Sequence, residues 1–436
     1  MNDKLSLGIG RTVITPPVGT NLYGYRPDVI SKSVHDDLTA TAFCFRRNDL
    51  TVVLISLTVC SIGNPLCDKL RVLIADACGI RRENCIIHAI HTHSGPILNP
   101  TTGWGVPDPA YLERILIPKT VEAAVQACAN PVPVTMKISQ GESLVGINRR
   151  ELRPDNTIAL GQNPWGPFDP KMTVLSFADE KGTPVAHLIH YGCHGTAAGR
   201  NLEISRDWAG VMIDAVERIC GGVAAFFNGP EGDVGPRLAN GLTVGRMHVD
   251  DAVEHGGIAA RDAAFICRQR GSYVTPTLDV STVTLQIPLQ PRLPREEAEA
   301  RMAEFEGQTV NIKAKKYAYY KRVVDSYGTD YTEIEYVPIE QTVLRLGDLA
   351  IVTCPFELFS EIGMRIAQFS PFPYTLTLSN TNGSRGYFIT EDAICRGGYE
   401  VGMFITTGIQ PYVTNADFHY FSQTVAHLNA LKAKGE

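Results

Sequence analysis

The sequence predicts an α/β fold with a mixed, largely parallel sheet core and flanking helices, and three observations carry that reading. Leu50 to Cys60 and Val223 to Phe227 are near-continuous apolar runs, the pattern of strands covered on both faces. A segment of helical period stands beside each of them. Each region also runs out into a loop rich in histidine, glycine or asparagine, and in open α/β sheets ligands collect at the carboxyl ends of strands.

Taken in order, the chain opens with Gly8-Ile-Gly-Arg-Thr-Val-Ile-Thr-Pro-Pro, a short strand stopped by two prolines, then a glycine-rich turn through Gly24 and Tyr25. After the Leu50 run, Asn64 as cap and Pro65 at the first position start a helix. It places Leu66, Leu70, Leu73, Ile74 and Ala77 on one face, and Gly79 ends it. The apolar stretch from Cys85 makes the next strand, so strand, helix and strand form a parallel crossover. Asp108 caps and Pro109 begins a second helix towards Ala129, with a kink at Pro118. Val134, Met136 and Ile138 alternate with polar residues as a half-exposed strand leading to Asn148-Arg149-Arg150.

The outline then recurs. Met172 to Phe177 and Val185 to Tyr191 flank a hairpin turn at Asp179-Glu-Lys-Gly182. Asp207 to Cys220 is an amphipathic helix with Trp208, Val211, Met212, Ala215, Val216 and Ile219 inward, and the Val223 run follows it as a second crossover. Beyond residue 240, Val283, Leu285 and Ile287 mark a strand. Pro294 to Gly307 and Lys313 to Tyr327 read as charged helices of a lobe or lid. A hairpin over Val343 to Val352 runs into Pro355-Phe-Glu357, where a helix begins with Glu357 as a favourable first-turn charge. Thr375 to Leu378 is a strand, and Tyr420 to Lys432 a closing helix.

Composition excludes several function classes. The net charge of -6 is wrong for a nucleic-acid groove, and no apolar run of about 20 residues provides an integral membrane segment. The N-terminus lacks a basic segment followed by an apolar core, so no signal peptide is expected. There are 11 cysteines, an odd number, and Cys44, Cys60, Cys85, Cys220 and Cys354 sit in apolar runs, as buried thiols of a cytoplasmic protein do. No internal repeat or linker divides the chain, so residues 1–436 are read as one catalytic unit acting on a small-molecule substrate.

The chemistry gathers on His88-Ala-Ile-His91-Thr-His93-Ser-Gly-Pro96. On a strand successive side chains alternate, so His91 and His93 face one way and His88 the other. Two imidazoles at one strand end suit a half-open catalytic metal site; a hydrogen-bonded structural pair is the other reading. Arg149-Arg150 alone reads as a solvated loop, and Gly229 to Pro236 as a glycine-rich connection. Metallo-β-lactamases place an Asp-His pair just after the second histidine, where this chain has Ser94-Gly95. An amidohydrolase barrel requires eight strand-helix units, and two are evident here.

Together the motifs Gly8-Ile-Gly-Arg-Thr-Val-Ile-Thr-Pro, His91-Thr-His-Ser-Gly-Pro96, Asn148-Arg149, His194-Gly195, Gly232-Asp-Val-Gly-Pro236, Pro355-Phe-Glu357, Gly386-Tyr387 and Tyr399-Glu400 resemble, in order and spacing, the catalytic domain of the neutral non-lysosomal ceramidases. That family hydrolyses the amide of N-acylsphingosine with one zinc ion. The resemblance implies that His91, His194, Glu357 and Tyr387 hold Zn2+, with His93, Arg149 and Tyr399 as catalytic neighbours. It also turns Asp233, Gly235 and Arg237 towards the substrate.

The departures from the family narrow the expectation. Ceramidases carry a serine where this chain has Gly235, which has no hydroxyl to offer, and Arg237 follows the proline. The chain ends at Glu436, without room for the family's C-terminal immunoglobulin-like domain. The resulting expectation is a zinc-dependent hydrolase of an amide more polar than ceramide. A zinc-dependent esterase or lactonase, or a non-catalytic ceramidase-like binding protein, are the alternatives.

Overall fold

A computed structural model describes residues 4–26, 28–100, 104–308 and 311–434. Three sheets share one core. The first runs, in spatial order, Cys85–Ala89, Leu50–Leu57, Thr39–Arg47, Ser6–Val13 and Val132–Pro133. The second runs Val223–Asn228, Pro184–Tyr191, Lys171–Ala178 and Thr135–Glu142, and the third Leu278–Pro288, Tyr336–Leu346, Leu349–Thr353 and Tyr374–Leu378. Phe43, Phe45 and Leu54 from the first, Phe177, Leu188 and Phe227 from the second, and Leu344, Ile351 and Leu376 from the third pack into a single cluster. Helices cover the outer faces: Asn64–Cys78 and Ile117–Ala129 on the first, Asp207–Cys220 and Val249–Arg268 on the second, Ser360–Phe369 and Ala416–Lys434 on the third.

Each sheet contains one strand-helix-strand crossover with parallel ends. Leu50–Leu57 pairs with Cys85–Ala89, Pro184–Tyr191 with Val223–Asn228, and Leu349–Thr353 with Tyr374–Leu378. Two of the three are as expected from the sequence; the third is a finding, because Leu349–Thr353 also pairs antiparallel with Tyr336–Leu346 and so reads as a simple hairpin. The sheets are mixed, but antiparallel pairings prevail, nine of fourteen among the described residues. Hairpins extend each parallel pair on one side, and a short turn permits only antiparallel neighbours.

Several local expectations are corrected. Gly63, not Asn64, caps the first helix, because the Asn64 side chain instead accepts the Ser384 N–H at 3.0 Å. That helix turns Cys67, Leu70, Arg71 and Ile74 inward, and Leu73 is 36% exposed. Gly79 does end it, in the left-handed conformation at φ 64°. Asp108 caps the next helix, accepting from Ala110 N at 2.9 Å, but Pro118 produces a π-helical stretch at Leu112–Leu116 rather than a kink. Ile219 lies outside, 46% exposed.

The larger correction concerns Glu357. It sits in a two-residue strand, Glu357–Leu358, parallel to Tyr387–Phe388, and the helix starts three residues later at Ser360. Glu361 supplies the acidic residue of that first turn, and Asp233 Oδ1 accepts the Ser360 N–H at 2.7 Å.

His88 joins the three crossovers. It is fully buried, its Nδ1 is 2.9 Å from Thr381 Oγ1, and its Nε2 accepts the Asn228 N–H at 2.8 Å. Burial pushes its pKa down to about 3, so it is neutral at physiological pH. Replacing His88 by Ala leaves a cavity and an unsatisfied buried N–H, for an expected loss of ~3 kcal/mol. Urea unfolding of His88→Ala checks this, and a loss under about 1 kcal/mol would remove His88 from that role.

Candidate metal centre

The carboxyl ends of the three crossovers converge. The first strand ends at Ala89, two residues before His91, so strand alternation does not aim the His91/His93 pair. His91 instead adopts φ 71°, an uncommon conformation for a non-glycine residue. It is held there by its N–H on the Val59 carbonyl at 3.0 Å and by the bridge from Thr92 to Gly195. Glycine is required at 195, where a Cβ would lie 2.6 Å from the His91 carbonyl oxygen. The His93 N–H completes the junction on the Gly195 carbonyl at 3.0 Å.

Backbone carbonyls fix the tautomers of the facing imidazoles. His91 Nδ1 is 3.0 Å from the Cys60 carbonyl, and His194 Nδ1 is 2.8 and 3.1 Å from the carbonyls of Glu231 and Val234. Each Nδ1 therefore carries the proton, and each Nε2 presents a lone pair. Both lone pairs face Glu357 Oε2, at 3.5 Å from His91 and 3.2 Å from His194. His194 Nε2 and Glu357 Oε2 are buried and have no hydrogen-bond partner. Burial drives both imidazoles towards the neutral form, His194 down to about 3. Burial also raises the Glu357 carboxyl, but His91, His194 and Tyr387 outweigh it and hold the group ionised. Three acceptors within 4.8 Å of one another, with no proton between them, form a donor set that could hold a cation. Cys60, His91 and His93 form a second cluster, but there His91 Nδ1 is committed to a carbonyl and burial keeps the Cys60 thiol protonated.

Other expected residues line the same space. Tyr387 is the strand partner of Glu357, and its phenol oxygen accepts from Arg149 Nη2 at 2.9 Å. Arg149 Nε donates to Glu400 Oε1 at 2.9 Å and Arg150 Nη1 to Glu400 Oε2 at 2.7 Å, so one buried carboxylate holds both cations. The Arg149-Arg150 pair is thus buried rather than solvated. Tyr399 packs edge-on against Tyr387, ring centroids 5.9 Å apart, and burial keeps its phenol protonated. His93 Nε2 lies 3.2 Å from His91 Nε2, its Nδ1 has no partner, and the rings of Tyr23 and Tyr25 flank it.

Asp233, Gly235 and Arg237, expected to face substrate, are placed otherwise. Both Asp233 oxygens are occupied, by Ser360 N and Oγ and by Asn148 Nδ2, so Asp233 braces the loop. Gly235 pairs with Ile147, and a Cβ there would lie 2.6 Å from Thr243 Cβ; Thr243 fills the space a side chain would use. Arg237 is exposed, and no hydrogen bond or ion pair links its side chain to the site among the described residues.

The sequence reading missed Glu400 as the arginine anchor, Glu231 and Asn380. Glu231 is fully buried and accepts from Asn380 Nδ2 at 2.7 Å, and the same Nδ2 lies 3.2 Å from His91 Nδ1. The available signal was position: Glu231 is in the loop after the second crossover, Asn380 in the loop after the third.

A family model described as neutral/alkaline non-lysosomal ceramidase, N-terminal, matches residues 5–249, more than half of the chain. The chain belongs to this ceramidase family. Neutral ceramidase from Oryza sativa subsp. japonica is 26% identical over 227 residues, 48% of this chain and 28% of the rice protein. Neutral ceramidase 1 from Arabidopsis thaliana is also 26% identical over 227 residues, 29% of its own length. The match therefore spans less than a third of either plant ceramidase. The crystal structure of neutral ceramidase from Pseudomonas aeruginosa shares the fold at TM-score 0.77 and 20% identity, covering 100% of this chain and 75% of that one. A ceramidase complexed with C2 gives TM-score 0.76 at 18% identity, covering 99% of this chain and 76% of that one. Among the described residues, no helix of this ceramidase relative is long and apolar enough to cross a membrane.

Glu400 yields a direct test of how the site is built. Glu400→Gln leaves two buried guanidinium groups without their carboxylate, for an expected loss of ~3 kcal/mol in denaturant unfolding. Stability unchanged to within about 0.5 kcal/mol would show that other groups hold Arg149 and Arg150.

Proposed function

We propose that this protein is a zinc-dependent hydrolase that cleaves an amide, N-acyl bond in a substrate more polar than ceramide. The observation that carries this reading is the trio His91 Nε2, His194 Nε2 and Glu357 Oε2, buried acceptors that face one another with no donor among the three. Family membership supports the amide chemistry. The trio draws on all three crossovers, which supports residues 1–436 acting as one catalytic unit. Tyr387, the strand partner of Glu357, supplies the fourth ligand in this reading through its phenol oxygen.

His91, His194, Glu357 and Tyr387 would hold a zinc ion, which when bound would supply Lewis acidity and lower the pKa of a water to about 7. The protein's own groups do the rest. The Glu231, Val234 and Cys60 carbonyls keep both histidines in the ligating tautomer. Arg149, fixed by Glu400, and the protonated Tyr399 phenol donate to the substrate oxygen as negative charge develops on it, each worth about 3 kcal/mol. His93 accepts the proton of the attacking water and returns it to the departing nitrogen, giving a carboxylic acid and an amine. Burial beside His91 and His194 keeps His93 neutral and ready for the first of these transfers. Support for a polar substrate comes from Gly235, which lacks the hydroxyl of the family's serine, and from Thr243 occupying the space beside it.

Two outcomes test the reading. His91→Ala and His194→Ala should lose bound metal in elemental analysis, whereas His93→Ala should keep its metal and fold and lose turnover about 100-fold or more. Full metal content in both ligand variants would end the proposal. A panel of amides should show long-chain ceramide as a poor substrate beside short polar N-acyl compounds. Ceramide turnover as fast as the best of the panel would refute the polar preference.

A further inference from the structure

The helix Asn311–Ser326 packs against the helix Tyr399–Ile405. It is tied down by Arg322, which donates to the Thr406 carbonyl at 3.0 Å and the Gly408 carbonyl at 3.2 Å, just beyond the helix that begins with Tyr399. From it Lys315 reaches inward, its Nζ 5.7 Å from the Trp104 ring centroid. Trp104 packs on Tyr23, Cys60 and Ile97. Cys60 Sγ is 3.6 Å from His91 Nδ1 and Tyr23 meets His93 edge-on, so the ammonium stands one layer of side chains from the proposed ligands.

Two buried cations of the site, Arg149 and Arg150, share the Glu400 carboxylate. Lys315 has no ion pair or hydrogen bond among the described residues; the aromatic face of Trp104 is its neighbour. Burial pulls its pKa down to about 8, with Glu357 acting the other way. An ammonium withdrawn from water without a counter-ion is costly, and an anion arriving with the substrate removes that cost while forming a charge-assisted hydrogen bond.

We infer that Lys315 receives an anionic group of the substrate, so that the compounds cleaved are N-acyl amines bearing a carboxylate, such as N-acyl amino acids. This rests on the hydrolase reading for where the substrate lies. Lys315 is then a specificity-determining residue on a helix outside the ligand set.

The test compares N-octanoylglycine with N-octanoylglycinamide, probes that differ in charge. Zinc-loaded protein carrying His93→Ala is titrated with each, followed by Trp104 emission and calorimetry, so that binding is read apart from turnover. N-octanoylglycine should bind at least about tenfold more tightly. Adding Lys315→Met should bring that ratio close to one, Lys315→Glu should invert it, and Lys321→Met, on the outer face of the same helix, should leave it unchanged. A ratio near one without any Lys315 substitution, or one that survives both Lys315 variants with their melting temperatures intact, overturns the inference. Turnover by the unsubstituted protein separates the two readings. A charge preference in binding without hydrolysis of either probe would sink the hydrolase proposal alone, whereas hydrolysis without charge preference would sink the role of Lys315 alone.

Discussion

Two imidazole nitrogens and a carboxylate oxygen, each presenting a lone pair to the same dry space, repel one another unless a cation lies among them. The surrounding structure is arranged to keep those lone pairs in place. Main-chain carbonyls take the Nδ1 protons of His91 and His194, and Asn380 lies against the His91 ring while binding Glu231. Glu357 is locked to Tyr387 by strand pairing, and Tyr387 to Arg149 and so to Glu400. Disturbing any of these would turn a lone pair away and let the group find a donor elsewhere.

The architecture behind this is a crossover used three times. In each case a strand pair is parallel because a helix carries the chain back across the sheet, and each crossover opens a polar loop at the same end. Asn228 shows how tightly those ends are joined, since its side chain bonds the Ile90 carbonyl of the first unit and both backbone groups of Cys193 in its own. The Thr92 to Gly195 bridge makes a second junction between the same two units.

Local patterns were legible in the sequence. The Asp207–Cys220 helix, the Asp108 cap and the Gly79 stop follow from residue chemistry within one or two turns of chain. Features set by distant partners were not. Glu357 carries no mark that its neighbour is Tyr387, and Asn64 no mark that its side chain serves Ser384 rather than its own helix. His91 and His93 do meet in the site as alternation would have them, but through a left-handed residue supported from another strand, which no period in the sequence encodes. The family resemblance placed Tyr387, Arg149 and Tyr399 near the centre. It also named Asp233 and Gly235, whose surroundings depend on Ser360 and Thr243.

The proposed ligands come from three separate crossovers, and this has a consequence for how the molecule matures. No short stretch of the chain holds two of His91, His194 and Glu357, so an ion cannot nucleate folding by gathering neighbours in the nascent polypeptide. All three units must dock before a complete site exists. An ion bound by the proposed ligands would then join only a docked molecule, and its retention would report on the integrity of the whole rather than of any one part.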